Sequence, residues 1–358
     1  MGGVYVDLKL YLSHKITKKK LIYNCQININ LKRMRKLASI QIVSKIIKHD
    51  NADLLEIASV LGWEVITSLN EVKEGDKIVY CEIDSLLPVD KEWLPISIKN
   101  EIQKKNPKKF RIKTKKIRGK FSQGLIIPIT ESISSLNEFE IGTDVSDLLE
   151  IEKYDNDLDK KKGDFPVHLI DKTNESRIQS NPEFLEVFNS KPYYCTLKLD
   201  GTSATYLYEN DNFLICSRNR IVKKKKSYWF EIANKYNLKE KLMDHKNIGI
   251  QGEICGPGIQ RNLLKLKELD FFIFNVVDLS TKKRYPLSDM ISFCEKIGLK
   301  HVPVEEISEN FNYSLKELIE KSKGFYENTK NFREGLVFRN ETLSFKIINN
   351  DYLDTYNK

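Results

Sequence analysis

Lys198 is a lone cation at the end of the run YYCTLK (193–198), followed at once by Leu199, Asp200 and Gly201. A lysine amine is a nucleophile only when neutral, so desolvation or neighbouring cations must disfavour its proton. The end of an apolar strand provides the first condition. Asp200 adds a carboxylate close by, and Gly201 permits a tight turn with close approach of a ligand. Lys-x-Asp-Gly is short, however, and a solvated surface lysine is the ordinary alternative.

The order of later segments narrows the choice. SRNR (217–220), QGEICGPGIQRN (251–262), FFIFNVVD (271–278), EGLVFR (334–339) and SFKIIN (344–349) each lie in or beside a strand-like run. Arg218 is placed to hydrogen-bond a ribose or phosphate, and Glu253 to accept from ribose hydroxyls. Phe274 offers a face for a base, where stacking contributes roughly 1–3 kcal/mol. Glu334 suits the neighbourhood of a metal, and Lys346 suits an α-phosphate. Cations, carboxylates and an aromatic gathered around one lysine fit nucleotidyl transfer, in which positioning and charge stabilisation dominate. Taken singly, Phe274 reads as core and both glutamates as exposed carboxylates. Cys195 and Cys255 read as small core residues, and the lysines of VKKKKS (222–227) as a solvated loop. The five histidines show no ligand spacing, which argues against a dedicated zinc site.

KLDG, SR, GE, FFIFN, EGLVF and SFK, in this order, resemble motifs I, Ia, III, IIIa, IV and V of the covalent nucleotidyltransferases, which include RNA and DNA ligases and mRNA capping enzymes. RKLASIQIV, DNADLLEIASVLGWEV, GDKIVYCEIDSLLP, KIRGKFSQGLIIPI and KTNESRIQSNPEFLE precede motif I. With these segments, roughly residues 34–358 resemble ATP-dependent RNA ligases of the Deinococcus and Naegleria type. The resemblance implies that Lys198 takes AMP from ATP, passes it to an RNA 5′-phosphate, and that a 3′-OH then displaces AMP to seal the break. It implies a phosphate-side contact for Arg177, in KTNESRIQ. Asp200, Glu253 and Glu334 are similar to carboxylates that hold Mg²⁺ or Mn²⁺, through water, or contact the nucleotide. Two positions depart from the family pattern. Leu197 stands where a glutamate often precedes the nucleophile and helps recognise adenine, and Ile348 stands where motif V often has a second lysine.

The elements that must carry these residues read as α+β. From Leu37, ASIQIVSKII, WEVITSL, KIVYCEI and GLIIPI are short apolar or alternating runs separated by HDNAD, EGD and RGKFSQG turn signals. They predict an OB-like β-barrel over 34–150. IEKYDNDLDKKKGD (151–164) has linker composition. From 165 to 358 the resemblance implies an adenylyltransferase domain, ATP-grasp-like, with antiparallel sheets and flanking helices. YYCTLKL, SATYLYE, NFLICSR, FFIFNVVDL, EGLVFR and SFKII are its predicted strands. SYWFEIANKYNL and PLSDMISFCEKIG are amphipathic helices, the second capped by Gly298.

The chain has 358 residues, 41% hydrophobic and 30% charged, which excludes a disordered chain. No apolar run approaches the ~20 residues of a transmembrane helix. Six scattered cysteines show neither a disulfide framework nor paired ligand spacing, pointing to an intracellular, reducing compartment. The net charge of +9 is uneven. Residues 1–33 hold seven Lys/Arg against Asp7 and read as a basic extension, or as sequence upstream of a functional start at Met34. Residues 101–120 hold ten Lys/Arg against Glu101. On a barrel, Lys113, Lys115, Lys116 and Arg118 are candidates to contact RNA or an RNA-containing nicked duplex. The chain is expected to act as a monomer. A GTP-dependent capping enzyme and a non-catalytic RNA-binding protein remain alternatives at this point. Little chain follows SFKII, whereas capping enzymes carry their OB domain there.

Overall fold

The structure, a computed structural model, describes residues 35–105, 107–154 and 165–356. The basic extension at 1–33 and most of the 151–164 segment lie outside the described residues.

Eleven short strands form the first part: β1 (Ala38–Ile42), β2 (Lys45–Lys48), β3 (Leu55–Val60), β4 (Trp63–Ser68), β5 (Lys77–Cys81), β6 (Ser85–Leu87), β7 (Phe110–Arg111), β8 (Lys115–Ile117), β9 (Lys120–Ser122), β10 (Leu125–Pro128) and β11 (Glu152–Lys153). They pair as β1-β5-β10, β2-β3-β4, β11-β6-β7 and β8-β9. In β4, Trp63, Val65 and Thr67 point inward while Glu64 and Ser68 face water, the two-residue period of a half-buried strand. Ala38, Ile40, Val65, Ile78 and Ile126 meet in one core, as expected of an OB-like barrel. The predicted run ASIQIVSKII divides at Val43 and Ser44, so its two halves serve different sheets.

Ten strands follow: β12 (Ser176–Arg177), β13 (Tyr193–Lys198), β14 (Thr202–Glu209), β15 (Asn212–Ser217), β16 (Ile248–Cys255), β17 (Asp270–Asp278), β18 (Lys300–His301), β19 (Val304–Ser308), β20 (Gly335–Arg339) and β21 (Ser344–Ile348). They make two five-stranded sheets, β12-β21-β20-β13-β19 and β15-β14-β16-β17-β18. Pairing is antiparallel except for β12 with β21 and β17 with β18. The helices Tyr228–Lys235, Leu238–Met243 and Leu287–Lys296 cover one face of the second sheet, burying Tyr206, Ile250, Ile254, Phe271 and Ile273 against Ile232, Leu242 and Phe293. By alternation Glu253, Phe272 and Phe274 fall on its other face. Gly298, at φ +62, follows the last of these helices as a C-terminal cap.

The chain passes between these two five-stranded sheets at two places. Leu199–Asp200–Gly201 carries it from β13 to β14, and Val302–Pro303 carries it from β18 to β19. The second crossover is held against β13, because Leu197 N–H donates to the Pro303 carbonyl at 2.9 Å. At the neighbouring strand end, Gly335 packs directly against β21. A Cβ there would lie 2.1 Å from the Ile347 carbonyl oxygen. Gly335→Ala is therefore expected to destabilise the fold by about 3 kcal/mol, since backbone rather than a side chain must move. Denaturant unfolding checks this, and an unchanged midpoint would contradict it.

Candidate active site

Lys198 occupies the last position of β13, opposite Gly335, so Glu334 enters the site directly across from it. Its Nζ donates to Glu334 Oε2 at 2.7 Å. Asp200 follows on the crossover, and Glu253 projects from β16 of the other sheet. Burial disfavours the charged amine of Lys198, but Glu334, Glu253 and Asp200 together outweigh it and hold its pKa above the ordinary lysine value. The sequence-based expectation of a site that itself favours neutral amine is thus reversed by carboxylates. Burial pushes Glu253 up to about 8, with Glu334 and Asp200 adding to the effect and Lys198 opposing it. Asp200 is also raised, by burial and by Glu334. Burial is the first cause for both carboxylates, and their mutual negative charge adds to it.

These oxygens fit a hard divalent cation, which takes carboxylate and water ligands. Among the described residues, no group of three His, Cys, Asp or Glu side chains is arranged to hold an ion by itself. Asp200, Glu253 and Glu334 could supply oxygens to such an ion, which would offset negative charge beside Lys198 and on a phosphate ester.

Gly201 is explained by packing. A Cβ on it would meet the Ile254 carbonyl oxygen at 2.4 Å and Glu253 Cγ at 2.8 Å. Its bare Cα lets the crossover lie on β16, and so brings Asp200 to Glu253. The sequence predicts close approach of a ligand; the close approach seen here is by a strand of the chain itself. Phe274 lies at a β-bulge, because the β16–β17 register passes from Gln251↔Asn275 to Gly252↔Ile273 and leaves it without a partner. Bulges re-aim a side chain, and Phe274 is only half-buried.

The segment 173–180 ties the cations to three parts of the fold. Asn174 accepts from Arg218 at 3.0 Å, and Glu253 feels the Arg218 charge. Glu175 accepts from buried Arg339 at 3.1 Å and from Ser344. Burial opposes its ionisation, but Arg339 and Arg284 hold it below the usual glutamate value. Arg177 lies beside Lys346 through the parallel β12–β21 register. Its guanidinium also reaches Asp84 of the barrel at 3.4 Å and lies 5.9 Å from the Trp63 ring. Gly62 N–H to the Gln179 carbonyl (2.8 Å) and Trp63 Nε1 to Ser180 Oγ (3.2 Å) complete this contact.

Lys346 is two strands and two residues from Lys198, about 12 Å by ordinary strand spacing and rise. Both lie on one face of the sheet. Ile348, where the resemblance implies a second lysine, is buried in the core and 4% exposed. Leu197 is half-buried, with its N–H already used by Pro303.

Sequence reading missed several residues. Tyr326 hydrogen-bonds the backbone of Lys198, Asp200 and Glu334. Tyr352 bonds Asp200 from the helix Asn350–Tyr356, and the Arg261 charge reaches the same carboxylate. Gln260 donates to the Gly201 carbonyl at 3.3 Å. Gln260 and Arg261 stood within the quoted GEICGPGIQRN run, but the two tyrosines carry no local signal.

The barrel candidates divide. Lys115 pairs with Glu101, whereas Lys113, Lys116 and Arg118 have no carboxylate partner among the described residues. Burial and then Arg111, Lys105 and Lys115 lower the Lys113 pKa, which marks a crowd of like charges. Arg118 and Gly119 form the β8–β9 turn, both with positive φ.

An RNA ligase family model matches residues 191–351, and an OB-fold domain matches residues 37–129. No curated protein matches in sequence. Among solved structures, the chain is similar to the Naegleria gruberi RNA ligase with pyrophosphate, at 30% identity and a TM-score of 0.81, covering 89% of this chain and 98% of that one. A variant of that ligase with AMP and Mn matches at the same identity, coverage and TM-score. Another, with ATP and Mn, matches at 30% identity and a TM-score of 0.82, covering 90% of this chain and 100% of that one.

Proposed function

The chain belongs to the RNA ligase family, and on that premise we propose that it seals 3′-OH/5′-phosphate breaks in nicked duplexes through a Lys198-AMP intermediate. It is an ATP-dependent RNA ligase. The observation that carries the detailed reading is the single amine at a sheet crossover, 2.7 Å from Glu334 and within the field of Asp200 and Glu253.

In the first step the neutral Lys198 amine attacks the α-phosphorus of ATP. An N–P bond forms as the amine gives up one proton to water, the bond from that phosphorus to the β-bridging oxygen breaks, and pyrophosphate leaves. An RNA 5′-phosphate oxygen then takes the adenylyl group, breaking the N–P bond. Finally the 3′-OH attacks the 5′-phosphate phosphorus, losing its proton to water, and AMP departs with the pyrophosphate-linkage electrons. Asp200, Glu253 and Glu334 would hold the divalent ion, which would offset charge on the leaving pyrophosphate. Lys346 and Arg177, adjacent across β21 and β12, neutralise phosphate, and Arg177 supplies the cation that Ile348 does not. Arg218 and Glu253 contact the nucleotide, and Phe274 stacks on its base. Gly201 sets the distance between Asp200 and β16.

The proposed division is an OB domain at 34–150, a linker at 151–164 and a transferase domain at 165–358, with the first residues of that linker held on the barrel, where Ile151 is buried and Glu152–Lys153 pair with β6. Lys113, Lys116 and Arg118 track the substrate backbone, and Lys115 contributes less because Glu101 half cancels its charge. The protein acts as a monomer in a reducing compartment. Its five described cysteines are free and buried, and among the described residues no helix is long and apolar enough to cross a membrane.

Incubation with labelled ATP and Mg²⁺ is expected to give an acid-labile, alkali-stable protein adduct, the behaviour of a phosphoramidate. Chelation should slow its formation roughly a thousandfold, equivalent to several kcal/mol of lost charge stabilisation. An adduct from GTP but not ATP would overturn the reading in favour of capping. Firm RNA binding with no adduct from either nucleotide would favour a non-catalytic protein.

A further inference from the structure

Resting on the ligase reading, we propose that Tyr326 is a positioning residue whose hydroxyl fixes Lys198, Asp200 and Glu334 relative to one another for adenylyl transfer. Tyr326 is 3% exposed and lies 128 residues from Lys198 in sequence. Its hydroxyl donates to the Lys198 carbonyl at 3.0 Å. It accepts from the Asp200 N–H at 3.0 Å and from the Glu334 N–H at 3.1 Å.

A phenol has one hydrogen to donate and room for about two acceptances. All of that capacity is committed, so this hydroxyl has none left for nucleotide or RNA. It therefore acts through its partners.

Those partners belong to different elements. Lys198 ends β13, Asp200 is on the crossover, and Glu334 leads into β20. The β13–β20 ladder ends at Lys198↔Gly335. Past that pair no strand pairing joins Asp200 to Glu334, and the phenol oxygen takes over. The loop behind it is well held. Tyr326 N–H donates to the Asn331 carbonyl at 2.9 Å, Thr329 Oγ1 donates to the Tyr326 carbonyl at 2.8 Å, and the Phe325 and Phe332 rings stack at 4.9 Å. Asn349 donates to the carbonyls of Arg333 and Gly324. A rigid loop thus sets the backbone from which the Lys198 amine and Glu334 carboxylate reach each other.

Tyr326→Phe keeps the ring and removes one oxygen. The single-turnover rate of adduct formation at saturating ATP and Mg²⁺ is expected to fall roughly 10- to 100-fold, the scale of a small misplacement of reacting groups. The KM for ATP should stay within about threefold, because uniform binding is untouched. Thr329→Val loosens the same loop but spares the phenol, and should keep its rate within about threefold. A Tyr326→Phe rate near wild type, a loss confined to KM, or an equal loss in Thr329→Val would overturn the proposal. Should Tyr326→Phe fail to fold, 3-fluorotyrosine and 3,5-difluorotyrosine at position 326 weaken the oxygen as acceptor in graded steps. The rate should then fall in that order, and a flat series would overturn the assignment. Absence of any adduct in the wild-type protein would sink the ligase reading instead. Normal adduct formation alongside an unaffected Tyr326→Phe would remove only the positioning role.

Discussion

Lys198→Ala is expected to lower adduct formation from ATP by at least about 10⁴-fold, since no other group can take over a covalent nucleophile's task. Sealing of an ordinary 5′-phosphate nick should be lost with it, while RNA binding persists. Among the described residues of the site there is no substitute amine: Lys346 lies two strands away and Arg177 cannot lose its proton. A decisive arm supplies RNA whose 5′-phosphate already carries AMP. If Lys198 serves mainly to carry the adenylyl group, the variant should seal that substrate within about 100-fold of wild type. Loss of both activities with retained folding would make Lys198 an electrostatic element of all steps. Detectable sealing of the ordinary nick would refute it as nucleophile. The variant also leaves Glu334 without its partner at 2.7 Å and removes the cation nearest Asp200 and Glu253. Its folding must therefore be checked at the Mg²⁺ concentration of the assay.

What could be read in advance was what lies close in sequence to a strand end. Lys198, Asp200, Glu334 and Lys346 sit at or beside the ends and edges of apolar runs, where a polar residue breaks a visible pattern. Phe274 was legible only through motif order, because FFIFNVV is uniformly apolar and nothing local announces a bulge. Gly201 was singled out for the right residue type, but its constraint comes from β16, a strand some fifty residues later in the chain. Tyr326 could not be found. GFYENTKNFREG has no periodicity, and a tyrosine becomes a junction only when β20 lies beside β13. Tyr352 was hidden in the short stretch NNDYLDTYNK after the last motif. The same blindness affects charge. The count of cations at 101–120 says nothing about which have carboxylates opposite them, since Glu152, Asp84 and Asp50 come from other turns of the barrel.

That pairing makes the second large effect specific. Five cations of the segment have partners: Lys105 and Lys115 with Glu101, Lys109 with Glu152, Arg111 with Asp84 and Lys120 with Asp50. Lys104, Lys108, Lys113, Lys116 and Arg118 have no carboxylate partner among the described residues, and all but Lys113 are exposed. A cation already facing a carboxylate displaces fewer counterions from a phosphate backbone than a lone one. Each phosphate contact contributes about 0.9 to the salt slope of duplex binding. Replacing the five unpartnered cations with Gln should therefore raise the KM for nicked duplex roughly 100-fold near physiological salt and flatten its salt dependence. Replacing Lys105, Lys109, Lys115 and Lys120 should cost less than about tenfold, because exposed ion pairs contribute little to the fold and their charge is half cancelled. Adduct formation from ATP should stay within about threefold in both sets, since the chemistry of that step needs no RNA. Parallel loss of adduct formation and sealing would remove the substrate-binding role from this face. Equal sensitivity of the two sets would show that total charge, and not its partnering, governs capture of the duplex.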